Sequence, residues 1–300
     1  MHAARRGEPT KVAIVVRRHS PETGRSWLQE YHVPLRRGMT LLDALLYIKS
    51  RLDPTLAFRY SCRMGACGSC GVLVNGEPRL ACQTQVSDVE RNGRLLVEPL
   101  PGHPVIRDLV VDNTRLVENH RRVKPYVVRR DPADYEAPRE FLVSPEEHLG
   151  YYQYSLCILC GLCNAACPVY QRNPRFLGPQ ALATLYRFLA DPRDEATGER
   201  IALAASPDAC YACRLAASCS AACPKAVDPA GAIQRLRAAT LKAALGLYRK
   251  KTAEPAPPLE KPLRRVEASY PTGNLVPGAD PEREEKTPPP EDIDPESPPP

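Results

Sequence analysis

Three hundred residues, 43% of them hydrophobic, allow about two domains with real cores. No apolar run approaches the ~18 residues of a membrane span, and no apolar h-region follows the basic start MHAARRGEPT, where Arg5-Arg6 is the sole twin-arginine cue. A spanning protein and an exported disulfide scaffold are therefore not expected, and twelve grouped cysteines in a reducing compartment point to metal.

The formal charge of +6 is unevenly spread. Residues 251–300 hold fourteen of the 33 prolines and a balance of −5, which leaves +11 on residues 1–250. A basic body suits an acidic partner or anionic lipid; with no basic stripe interleaved with aromatics, nucleic acid is not an expected partner.

In chain order, KVAIVVRR (11–18) and SWLQEYHVPL (26–35) read as strands across the turn-rich HSPETGR. TLLDALLYIKSRL (40–52) has a helical apolar repeat, with Thr40 as N-cap and Asp43 at the capping-box position. GVLVNGEPRLAC (71–82) reads as a hairpin with Asn75-Gly76 in a primed turn, and RLLVEPL (94–100) as a further strand. Together they predict a β-grasp domain over residues 1–104. From about residue 105 the chain is expected to turn helical, with a linker over 105–147 and an all-α domain over 148–251. GPQALATLYRFLA (178–190) and DPAGAIQRLRAATLKAALGLYRK (228–250) are helices that start beside prolines. The fold class is α+β. Residues 252–300, ending KTPPPEDIDPESPPP, cannot bury enough apolar surface to offset their ordering entropy and are expected to form a disordered acidic tail.

The cysteines fall into three groups. Cys62, Cys67 and Cys70 have the C-x4-C-x2-C spacing of plant-type [2Fe–2S] loops, with Cys82 returned by the hairpin. Gly65, Gly68 and Gly71 are expected to let backbone amides turn toward the sulfurs. A structural zinc site is the alternative, but zinc favours two CxxC knuckles and this loop has one. Cys157, Cys160, Cys163, Cys167 and Pro168 match C-x2-C-x2-C-x3-C-P at every position. In two-cluster ferredoxins the fourth cysteine of each run serves the other cluster. Crossing the ligands gives a [4Fe–4S] set of Cys157, Cys160, Cys163 and Cys223. Cys167, Cys213 and Cys219 remain for the other site, where Ala216 stands in place of the fourth cysteine. Three thiolates hold three irons, so a [3Fe–4S] cluster is expected and Cys210 is left as a spare buried thiol. The rival count makes Cys210 the fourth ligand.

YSCRMGACGSCGVLVNGEPRLAC, IRDLVVD, CGLCNAACPVYQRNPRFLGP and CPKAVDP resemble the iron–sulfur subunit of succinate dehydrogenase and fumarate reductase, over about residues 10–245. The resemblance implies three clusters in the order [2Fe–2S], [4Fe–4S], [3Fe–4S]. It also implies a flavoprotein partner whose FAD performs the succinate–fumarate chemistry, and a hydrophobic membrane anchor, with or without haem, that binds quinone. The implied location is peripheral, on the cytoplasmic face of the bacterial inner membrane. No catalytic group is expected in this chain, whose six histidines are scattered. Where ubiquinone-using members carry a tryptophan pair, Gln171 and Arg172 stand here, and Arg214 replaces a common histidine. That form resembles the menaquinone-using fumarate reductase branch, with Pro168, Arg172 and Arg214 beside the quinone. Two other classes fit the sequence less well. A free-standing multi-cluster ferredoxin would be smaller, and a thiol-linked fumarate reductase or heterodisulfide reductase subunit would carry cysteine repeats beyond Cys223, where this chain has none.

Overall fold

The computed structural model describes residues 11–136, 140–250 and 253. The tail expected from residue 252 lies outside the described residues, Ala253 apart. Strands β1 (Lys11–His19) and β2 (Ser26–Pro34) pair antiparallel along their full length. Helix α1 (Leu41–Tyr47) starts with the expected capping box: the Thr40 hydroxyl accepts from the Asp43 amide at 3.1 Å, and the Thr40 amide donates to the Asp43 carboxylate at 3.0 Å. One helix was expected through residue 52, but the chain widens into a π turn at Ile48–Leu52. That turn ends at Asp53, whose carboxylate accepts from buried Arg18 at 2.5 Å.

β3 (Gly71–Val74) and β4 (Glu77–Leu80) form the expected hairpin, with Asn75 at φ +48° and Gly76 at φ +86° in a primed turn. The short α2 (Val86–Val89) leads to β5 (Arg94–Glu98). The sheet order is β2-β1-β5-β3-β4, with β5 parallel to β1 and antiparallel to β3. Leu41, Leu45 and Ile48 of the helix side share one core with Ile14, Val16, Val33, Val74, Leu95 and Val97 of the sheet. This is a mixed sheet grasping one helix, and it presents the 62–70 loop and Cys82 at one end.

The chain does not turn helical at residue 105. A two-stranded hairpin comes first, β6 (Val105–Arg107) with β7 (Val110–Val111), turning through Asp108 at φ +49°. Leu109 in the turn and Val111 in β7 are buried in the first core, so the apolar LVV stretch serves packing. The buried Asp108 carboxylate accepts from Arg18 at 2.8 Å and from the Ala57 amide at 2.8 Å, which clamps this hairpin to the first sheet. Helix α3 (Thr114–Arg122) then reaches forward: Arg115 donates to the carbonyls of Tyr170, Asn173 and Phe176 at 2.7–3.1 Å.

The remainder is helical: α4 (Pro145–Ser155), α5 (Leu162–Ala165), α6 (Pro168–Arg172), α7 (Pro179–Ala190), α8 (Thr197–Ala205), α9 (Ser218–Ala221) and α10 (Pro229–Ala244). Helices α7 and α10 enclose a second core with Phe176, Leu182, Leu185, Leu189, Ile233 and Leu236. Proline opens α4, α6, α7 and α10 at the first turn, where its missing N–H costs nothing. Arg200 and Asp194 form a fully buried pair at 2.7 Å beneath the 123–126 carbonyls. Among the described residues no helix is long and apolar enough to cross a membrane.

Candidate cluster-binding sites

The first cysteine loop is wrapped by its own amides. Cys62 Sγ accepts from the backbone N–H groups of Ala66 and Cys67 at 3.2 Å, and Cys67 Sγ accepts from the Cys62 amide at 3.5 Å. The Ser69 hydroxyl and then the Cys62 and Ser69 amides hold the Cys67 thiol down at about 6, a value suited to a metal-binding thiolate. Cys70, desolvated beside Cys82, is pushed up to about 12. Cys62 and Cys67 face the surface with Tyr60 and Met64, which is 71% exposed. On the inner side, Gly68 (φ +72°) lies so close to the second run that a Cβ would meet Cys160 Cα and the Ile158 carbonyl at 2.8 Å. Gly71, expected to free the backbone for turning, has no left-handed φ; it serves packing, since a Cβ there would press on Leu100, Leu162 and the Cys160 carbonyl at 3.1–3.3 Å.

The two later runs are copies of one backbone. Cys157 matches Cys213, and Leu159 (φ +55°) matches Leu215 (φ +57°). Left-handed leucine is rare because its Cβ crowds the carbonyl. Next, Cys160 matches Ala216, and Gly161 (φ +77°) matches Ala217 (φ +58°), each the N-cap of a four-residue helix, α5 or α9. Cys163 and Cys219 lie in those helices, and Cys167-Pro168 and Cys223-Pro224 close the runs. The Leu215 amide donates to Cys213 Sγ at 3.3 Å and the Val227 amide to Cys223 Sγ at 3.4 Å.

The fourth cysteines cross over. Cys157, Cys160, Cys163 and Cys223 line one enclosed cavity with Gln180, Val227 and Pro229. Cys167 instead lies near Cys213 and Cys219, and their charges act on one another. Cys163 and Cys219 pack together against Ala230, joining the two sets. Burial pushes the thiols of Cys160 and Cys219 up to about 11, and that of fully enclosed Cys163 higher still. Such thiols become thiolates only with a cation to balance them, so loading these sites releases protons. Soft sulfur donors converging on an enclosed, apolar-walled cavity fit iron–sulfur clusters.

Ala216 is at the surface, as are Pro168, Arg172 and Arg214. Cys210 is fully buried and points elsewhere, its Sγ donating to the Ala204 carbonyl at 2.9 Å within the α7–α10 core. Its own carbonyl and that of Cys213 accept from Arg237 at 3.0 and 2.7 Å. One site residue was not foreseen. Gln180 is 2% exposed and lines the four-cysteine cavity, with Nε2 4.0 Å from Cys157 Sγ. A lone amide in the apolar stretch GPQALATL was the available signal.

Residues 13–118 match the family described as 2Fe-2S iron-sulfur cluster binding domain, and residues 153–227 the 4Fe-4S dicluster domain. The fumarate reductase iron-sulfur subunit of Mycobacterium tuberculosis is 46% identical over 228 residues, 76% of this chain and 92% of that one. The mitochondrial succinate dehydrogenase [ubiquinone] iron-sulfur subunit 2 of rice, Oryza sativa, is 44% identical over 230 residues, 74% of this chain and 72% of that one. A chain of the Mycobacterium smegmatis Sdh1 complex in the apo form superposes with a TM-score of 0.71 at 26% identity, over 79% of this chain and 98% of that chain. The protein belongs to the family of iron–sulfur subunits of the succinate dehydrogenase and fumarate reductase oxidoreductases.

Proposed function

We propose that this chain connects a flavoprotein subunit, holding FAD and the succinate–fumarate chemistry, to quinone in a membrane anchor. Cys62, Cys67, Cys70 and Cys82 hold a [2Fe–2S] cluster; Cys157, Cys160, Cys163 and Cys223 a [4Fe–4S] cluster; Cys167, Cys213 and Cys219 a [3Fe–4S] cluster. When bound, such clusters supply one-electron storage between two-electron partners. The observation that carries the reading is continuity: the first loop touches the second run at Gly68 and Cys160, and the second set touches the third at Cys163 and Cys219. The protein's own work is to hold those sulfurs, aim amides at them and keep water from the middle set, which burial of Cys163, Leu162 and Val227 supports.

The two ends of the series differ in a way that suits two partners. Tyr60, Met64 and Cys67 are exposed at the first loop, a surface for the flavoprotein, while Arg214, Leu215 and Ala216 are exposed at the last. Pro168, Arg172 and Arg214 stand near the quinone, with menaquinone favoured by Gln171 and Arg172 in place of tryptophans. Overall identity does not discriminate, since the rice relative named for ubiquinone is nearly as similar as the mycobacterial one. With no spanning helix of its own among the described residues, the subunit sits peripherally, at the cytoplasmic face of the inner membrane, on an anchor with or without haem. We place the domains at 1–104 and 148–251, with 252–300 as a tail; of the joining residues 105–147, the 105–111 hairpin packs onto the first domain through Asp108 and Arg18. Expression with its neighbouring genes tests the reading. The chain should co-purify from membranes with a flavoprotein and resist salt extraction, whereas an active, soluble single chain would overturn it.

A further inference from the structure

Gln180 sits at the second residue of α7, where its backbone N–H donates to Asn164 Oδ1 at 3.1 Å. Its side chain turns into the cavity shared by Cys157, Cys160, Cys163 and Cys223. There Nε2 meets three acceptors: Thr184 Oγ1 at 3.0 Å, His120 Nδ1 at 3.1 Å and Cys157 Sγ at 4.0 Å. Its Oε1 has no partner among the described residues. A buried amide with an unpaired oxygen is costly, and a structural role alone would be met as well by an apolar residue. Two hydrogens cannot serve three acceptors at once. Burial lowers the His120 pKa and so favours the neutral ring, whose nitrogen can accept.

Resting on the ligand reading above, we propose that Gln180 is a positioning residue that sets the reduction potential of the four-cysteine cluster by donating to Cys157 more strongly when the site carries the extra electron. With less negative charge on the sulfur, the amide serves Thr184 and His120. Added charge draws one N–H onto Cys157, because a hydrogen bond to a charged acceptor is about twice as strong as a neutral one. Preferential stabilisation of the reduced state raises the potential.

The test is a redox titration of the assembled membrane complex, followed by the paramagnetic signal of each reduced cluster. Gln180→Leu keeps the volume and removes the donor. It should lower the midpoint of the four-cysteine cluster alone, cutting its reduced-to-oxidised ratio at fixed potential roughly two- to tenfold, the weight of one hydrogen bond. An unchanged midpoint with intact signals overturns the proposal. Wild-type protein labelled with 15N in glutamine side chains supplies a measurement that needs no variant. The reduced cluster should couple to a 15N nucleus, and the absence of any coupling also overturns the proposal. Cys157→Ser separates the two levels of the argument. It must perturb the same signal, and if it does not, the ligand reading falls and takes this proposal with it.

Discussion

In residues 157–168 the chain leaves Cys157 through left-handed Leu159, passes Cys160 and left-handed Gly161, and enters α5. In residues 213–224 it leaves Cys213 through left-handed Leu215, passes Ala216 and left-handed Ala217, and enters α9. The second path survives without the cysteine at its corner and without the glycine that its conformation favours. The backbone of these runs therefore depends on their short helices rather than on the corner residue, and under the proposed assignment a single side chain decides how many thiolates the site offers.

Breaking a shared corner should have the largest effect. Cys163→Ser removes the buried sulfur through which the second set meets the third. Iron content should fall by about one four-iron cluster, and electron transfer from succinate to quinone should drop to background in a steady-state assay. Next comes exchange of the corners. If the third site is the proposed [3Fe–4S] site, Ala216→Cys should supply a fourth thiolate, convert it to [4Fe–4S], lower its potential and slow quinone reduction. Cys160→Ala should do the reverse in the first run, and the spectra of the two variants would show whether the runs are interchangeable.

A control outside the runs is Arg200→Met. It removes the buried ion-pair partner of Asp194 and leaves the Val128 and Ala196 amides as its donors, so unfolding free energy should fall by about 3–5 kcal/mol in denaturant melts. The cluster types should stay unchanged in the protein that remains folded. The smallest effect is in the backbone. Ala217→Gly relieves a left-handed alanine and should stabilise by about 0.5–1 kcal/mol, whereas Gly161→Ala should destabilise by about 1–2 kcal/mol. A Cβ at Gly161 has room, its nearest neighbour being His103 Nε2 at 3.6 Å, so the second change isolates conformational strain from steric clash.

Local pattern made much of this legible in the sequence. The strand runs at 11–18 and 26–35, the Thr40–Asp43 capping box, the Asn75-Gly76 turn and the proline-led starts of α7 and α10 all depend on near neighbours, and they formed as read, although α10 stops at Ala244 rather than 250. Features set by distant partners were not legible. The hairpin at 105–111 exists because Asp108 answers Arg18, ninety positions earlier in the chain. The π turn likewise ends on Asp53, which belongs to the same buried network. In the sites, cysteine spacing announced three groups. The turn away of Cys210 toward Ala204, and the approach of Gln180 to Cys157, emerge only when helices α7, α8 and α10 pack.

The central claim is that the third site has three thiolates because Ala216 occupies a corner and Cys210 does not reach it. Paramagnetic resonance on the air-oxidised complex, wild type beside Cys210→Ser, tests it most directly. The prediction is the oxidised three-iron signal at equal intensity in both proteins. Its absence in the wild type and appearance in Cys210→Ser would show that Cys210 is the fourth ligand and contradict the account.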